Sequence, residues 1–205
     1  MRDRGSAVIL AFPMLLTLGI LLIPVVPDYS DHELAARAAQ QTARWFAGHL
    51  VAATAFGIGA LASTAIAQEL RRRNNPVPAI LLILVACGAA LYAAGLGADG
   101  IAPVALLSSG TEPTMFFDGS GWWISGVFMG GTILFGLGLI LLVIRVIRIG
   151  LVTGLWRYVV LLSTIMFISA PVIPSGWALY GEALASLGIF LPIGVSIGLN
   201  SRGHS

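Results

Sequence analysis

The placement of charge constrains this chain more than any other feature. Between its charged residues lie six long uncharged stretches, 5–27, 45–68, 74–98, 119–144, 158–181 and 183–201. About 20 apolar residues rising 1.5 Å each cross a hydrocarbon core of roughly 30 Å, and every stretch reaches or nearly reaches that length. A soluble protein can hide one such segment as a core helix. Six of them in 205 residues leave too little polar chain to cover them. Composition agrees: 58% of residues are hydrophobic and 10% charged, against about 45–50% and 25% in soluble domains. The fold predicted is an all-α polytopic membrane bundle, a single transmembrane domain of six helices near 7–25, 44–68, 77–97, 122–146, 151–172 and 177–198. A long outer loop is expected over about 98–121.

Orientation follows from arginine, which is retained on the cytoplasmic side of short loops. With six crossings and a cytoplasmic start, Arg2, Arg4, Arg71, Arg72, Arg73, Arg145, Arg148, Arg157 and Arg202 lie inside, and only Arg37 and Arg44 lie outside. The acids divide the other way, with Asp28, Asp31, Glu33, Asp99, Glu112, Asp118 and Glu182 outside against Asp3 and Glu69 inside. Both termini are thus expected in the cytoplasm of a cell whose plasma membrane holds the protein. Trp45, Trp122, Trp123, Trp177 and Tyr180 fall at the outer boundary and Trp156 and Tyr158 at the inner one, as interfacial aromatic belts require. The first span is read as retained, because its apolar run is longer than a signal core and ends in Pro24 and Pro27 without a small-x-small site.

Between the spans, Ser30 and Glu33 have capping-box spacing. Helix 2 then either starts near Asp31 and stands above the bilayer, or follows a short amphipathic helix and a break at Gly48. Small residues four apart, Ala53 with Gly57, Gly59 with Ser63, Ala86 with Ala90 and Ala94, and Gly126 with Gly130, are read as helix-packing seams. The same faces offer contact to a second copy or to another membrane protein. Arg71, Arg72, Arg73, Arg145, Arg148 and Arg157 are assigned to lipid headgroups, which explains basic helix ends better than nucleic acid does.

Ionisable groups at membrane depth are functional candidates by default. His49 lies one turn inside Trp45. Asp99 ends helix 3 on the face that carries Gly88, Tyr92 and Gly95, and Glu182 lies one turn into helix 6. His49, Tyr92, Asp99 and Glu182 therefore form a candidate ligand or proton site in the outer layer. If the helices bring them together, alone or with Asp31 and His32 of the outer segment, His49, Asp99 and Glu182 are also the candidate metal ligands. Convergence rests on a packing order that spacing does not fix, and the alternative leaves His49 bonded to a neighbouring helix with the two acids in interfacial water. The absence of lysine excludes Schiff-base chemistry, HExxH and GxSxG are absent, and one cysteine, Cys87, forms no internal disulfide. The sequence leaves the cofactor unknown.

The Gly48-His49-Leu50 unit, the run Gly97 to Gly100, and Leu134-Phe135-Gly136 followed by Gly154-Leu155-Trp156-Arg157 resemble small uncharacterised six-helix bacterial membrane proteins of the domain-of-unknown-function type. The resemblance implies a bacterial membrane protein and carries no activity or site residue with it. The function expected is a non-enzymatic binding, sensing or accessory component with an outer polar cluster. The alternatives are a small transporter or ion-coupled permease, with Pro13 and Pro192 lying inside helices 1 and 6 where a proline can expose backbone carbonyls to an ion, and an intramembrane metal-dependent enzyme built on His49.

Overall fold

The structure, a computed structural model, describes residues 2–202, with the side chains of 5–119 and 123–199. The expectations resting on the side chains of Arg2, Asp3, Arg4, Trp122 and Arg202 lie outside those described. The chain is 83% helical and has no strand among the described residues. The elements are α1 (Arg2–Leu22), α2 (His32–Ala39), α3 (Thr42–Arg72), α4 (Ala79–Ser108), α5 (Thr114–Arg148), α6 (Trp156–Ser169), a 3-10 turn (Ala170–Val172) and α7 (Gly176–Arg202). Five of them, α1, α3, α4, α5 and α7, hold segments long and apolar enough to cross a membrane. The sixth apolar segment, Trp156–Val172, is shorter.

Helix ends follow local chemistry. α1 stops before Pro24 and Pro27, which cannot donate to its last carbonyls. α3, α4 and α5 end alike, with a left-handed residue followed by a bond reaching back five residues. Asn74 (φ 57°), Gly110 (φ 75°) and Gly150 (φ 69°) supply the reversal, and Asn75 N to Leu70 O, Thr111 N to Leu106 O and Leu151 N to Val146 O close it at 2.9–3.1 Å.

Two expectations are corrected here. The loop expected over 98–121 is mostly helix, because α4 runs on to Ser108 and α5 starts at Thr114. Pro103 is accommodated and buried inside α4, Val104 packs against the cluster around Trp45, and Ile101 faces outward. The cap of α2 is Asp31, whose carboxylate accepts from the N–H groups of Glu33 and Leu34. Ser30 instead donates its hydroxyl to Asp28. α2 is a separate short helix ending at Ala39, so α3 neither extends from Asp31 nor breaks at Gly48.

The six longer helices close into a ring in which α1 meets α3, α3 meets α4, and so on through α5, α6 and α7 back to α1. α2 lies across one end, against α3, α4 and α5. That end carries Asp28, Asp31, Glu33, Glu112 and Asp118; the opposite end carries Arg71, Arg72, Arg73, Arg145, Arg148 and Arg157. At mid-height Phe12, Phe56, Phe135, Phe167 and Phe190, one each from α1, α3, α5, α6 and α7, are fully buried. Phe12 lies at their centre, with ring centroids 4.8 Å from Phe190, 5.9 Å from Phe56, 6.1 Å from Phe135 and 6.4 Å from Phe167. This aromatic layer seals the bundle across its middle.

The closest helix approaches occur at glycines outside the expected seams. A Cβ on Gly88 of α4 would run into the backbone nitrogen of Phe135 on α5, and one on Gly19 of α1 would lie 2.6 Å from the backbone nitrogen of Ala52 on α3. Gly57 and Gly126, expected to mark seams, have nothing within 4 Å of such a Cβ. Helical spacing marks a face without saying which neighbour the face meets. Trp45 is likewise no belt residue, since it is fully buried beneath the α2 end, whereas Trp123, Trp156 and Trp177 are exposed as interfacial residues should be. Arg145 turns inward to donate to Asn75 Oδ1 and Pro76 O, tying α5 to the α3–α4 turn. Arg72 and Arg73 both pair with Glu69. Arg71, Arg148 and Arg157 are exposed.

Candidate functional site

A cavity of about 370 Å³ opens between the helices at the α2 end and descends to the aromatic layer, where Phe56, Tyr92 and Thr132 line it. These lie near the middle of α3, α4 and α5, so the cavity reaches about half the depth of the bundle. Its wall is mainly apolar, with Leu16, Ile20, Leu96 and Phe128. All four sequence-expected residues, His49, Tyr92, Asp99 and Glu182, line it.

His49 and Asp99 meet directly, with Nε2 of the imidazole 3.2 Å from Oδ2 of the carboxylate and side-chain exposures of 3% and 15%. Gly100 permits the contact, because a Cβ there would lie 2.6 Å from that of His49. His49 Nδ1 lies 2.7 Å from the Trp45 carbonyl. A carbonyl only accepts, so the assigned tautomer carries its hydrogen on Nδ1. The Nε2 to Oδ2 contact is then a hydrogen bond whenever one proton lies between the two groups. Trp45 closes the loop by donating Nε1–H to the Asp99 main-chain oxygen at 2.8 Å. The indole also lies against the imidazole, with ring centroids 4.5 Å apart.

Tyr92 and Glu182 do not join this pair. Thr132 donates to the Phe128 carbonyl at 2.8 Å, so Tyr92, 2.7 Å away, donates its hydroxyl to Thr132. Its ring stacks on Phe56 with centroids 4.1 Å apart and planes 8° from parallel. Glu182 is 4% exposed, and its Oε1 has no hydrogen-bond partner. Among the described residues no three of His, Cys, Asp and Glu gather closely enough to hold a metal ion. His49, Asp99 and Glu182 share a cavity without forming a coordination sphere.

At the mouth, Tyr29 stands between α1 and α2. Burial pushes its phenol up from its ordinary pKa, and the charge of Asp99 adds to the shift, so it remains a neutral hydroxyl. His32 on α2 lines the same mouth, its Nδ1 2.6 Å from Asp118 Oδ1 on α5. Tyr29, Trp45, Gly100 and Thr132 were not anticipated as site residues. Trp45 did carry a signal, since it precedes His49 by one helical turn, and Gly100 follows Asp99 directly. Nothing in the sequence pointed to Thr132.

Fold and site together define an integral membrane protein, a helical bundle hollowed from one end by a largely apolar cavity with a few convergent polar groups. No family model matches the chain, and neither a curated protein nor a solved structure is significantly similar to it.

Proposed function

We propose that the protein is a non-enzymatic binding, sensing or accessory component of the membrane that takes a small, predominantly apolar molecule into this cavity. The carrying observation is the cavity itself, which joins an apolar wall to separate polar positions at His49–Asp99, Tyr92–Thr132 and Glu182. Ligand sites typically combine these features. The test is native mass spectrometry of the full chain extracted from its own membrane into lipid nanodiscs. A retained small-molecule mass, lost when Leu96→Trp fills the cavity, is expected. No adduct, or one that survives Leu96→Trp, overturns the reading.

We also read Trp156–Val172 as a sixth span. At 1.5 Å per residue it covers about 25 Å, which a locally thinned bilayer accommodates. The alternation of six spans and the arginines at one end then favour the cytoplasm for that end and for both termini, in a bacterial plasma membrane. On a background without Cys87, a cysteine at Ser109 is labelled by an impermeant reagent from outside and one at Asn74 is not. The reverse pattern inverts the orientation.

One observation favours transport as a second reading. Another cavity, of about 340 Å³, lies at the opposite end between α1, α3 and α7, lined by Thr64, Gln68, Glu69 and Arg72. The Phe12 layer stands between the two cavities, as a closed barrier stands between alternately open vestibules. Accumulation of the retained molecule in proteoliposomes, absent with Leu96→Trp, supports this reading; binding without accumulation removes it.

A further inference from the structure

Resting on the binding reading above, we infer that the cavity's ligand is an organic amine, held by its nitrogen at Glu182 with its hydrocarbon body among the aromatic and aliphatic walls. The first support is Glu182 Oε1, a carboxyl oxygen buried on the cavity wall with no donor from the protein. Buried acceptors are almost always satisfied, so one left open at a cavity points to a donor that arrives with the ligand. The second is the charge of the lining. Asp99 and Glu182 are present, and neither arginine nor lysine is among the described residues that line it. The α2 end into which the cavity opens is acidic on balance, with Asp28, Asp31, Glu33, Glu112 and Asp118 against Arg37 and Arg44, which favours cations over anions.

The third is the character of the walls. Phe56, Tyr92, Phe116 and Phe128 line the cavity, and aromatic rings attract ammonium groups. A metal ion held by side chains is disfavoured, because no group of three of His, Cys, Asp and Glu is available among the described residues. An ammonium needs only one or two acceptors and brings its own apolar coat. His49 already stands against Asp99, whereas Glu182 Oε1 is buried without a partner, which makes Glu182 the position for the nitrogen.

The test uses full-length protein in nanodiscs at neutral pH and three probes of similar shape: phenethylamine, 2-phenylethanol and 3-phenylpropionate. Affinities are read by calorimetry. The amine is expected to bind at least about tenfold tighter than the alcohol, a margin within reach of one charge-assisted hydrogen bond, and the acid more weakly still. Glu182→Gln brings amine and alcohol to within about threefold of each other, chiefly through loss of amine affinity. Glu182→Asp, which keeps the carboxylate, retains part of the preference and serves if the glutamine variant does not fold. Equal binding of amine and alcohol to the wild type overturns the amine and leaves the binding cavity standing, as does a preference for the acid. If no probe binds, the amine inference fails, and the retained mass and its loss with Leu96→Trp decide separately whether the cavity binds anything.

Discussion

The His49–Asp99 contact gives a quantitative prediction, because each partner's loss leaves a different remainder. His49→Ala removes the imidazole and strands a carboxylate of 15% side-chain exposure. Leaving a buried acceptor unsatisfied costs roughly 1–3 kcal/mol, and the adjoining cavity relieves part of this if water enters, so about 2 kcal/mol is expected. Asp99→Ala leaves Nε2 as a neutral acceptor, which is cheaper at about 1 kcal/mol. The Trp45 indole keeps its bond in either variant, since it is made to the Asp99 main chain. Asp99→Asn should be tolerated best, because its amide donates to Nε2 as a shared proton does. In the double variant neither partner is stranded, so its loss falls short of the sum by about 1 kcal/mol. The assay is reversible unfolding of all four variants in one detergent, where 2 kcal/mol corresponds to a Tm change of roughly 4–8 °C for a chain of this size. Additive losses, or Asp99→Asn as harmful as Asp99→Ala, would refute the hydrogen-bond assignment.

Three further outcomes are checked by the same unfolding measurement. Gly88→Ala places a methyl against the Phe135 backbone and costs roughly 1–3 kcal/mol, whereas Gly57→Ala meets nothing within 4 Å and stays within about 0.5 kcal/mol; equal effects would remove the close α4–α5 approach. Phe12→Ala empties the centre of the aromatic layer at the lower end of roughly 3–5 kcal/mol, because lipid already solvates the ring in the separated-helix state; a loss below about 1 kcal/mol would show that the layer is not packed. Arg145→Ala, which releases Asn75 Oδ1 and Pro76 O, is expected to cost more than Arg73→Ala, whose exposed pair with Glu69 contributes under about 1 kcal/mol; the opposite order would contradict the tie.

The helices were legible because a charge inside a lipid-facing segment is costly, and the uncharged stretches therefore trace the spans. The extensions were not. Gly100 and Pro103 look like breakers by propensity, yet α4 carries helix through them because both are buried against its neighbours, which outweighs the local preference. At the site, His49, Asp99 and Glu182 were visible as polar residues in apolar surroundings. Their relation was not, since which helix neighbours which is a property of the ring. That ring order places Asp99 against His49 and keeps Glu182 apart, and it delivers Thr132, an ordinary residue in the sequence, to the Tyr92 hydroxyl.

The short sixth apolar segment and the cavity have one cause. α6 ends at Ser169 because Pro171 and Pro174 supply no N–H to continue it, while α4 and α5 rise further to Ser108 and Thr114. The space left above α6 is spanned by two non-helical segments that hold each other. Tyr29 N donates to Pro174 O at 2.8 Å and Gly176 N to Val26 O at 2.7 Å, and the Ser175 hydroxyl donates to Pro27 O at 2.8 Å. Helix would have filled this volume with side chains; extended backbone whose polar groups pair with each other leaves it open, and Pro171 to Ser175 line the cavity with Tyr29. Irregular backbone at a helix end is tolerated in a membrane only where its polar groups are paired or face a cavity, and here both conditions hold. The prolines that shorten α6 therefore also line the cavity that Glu182 shares.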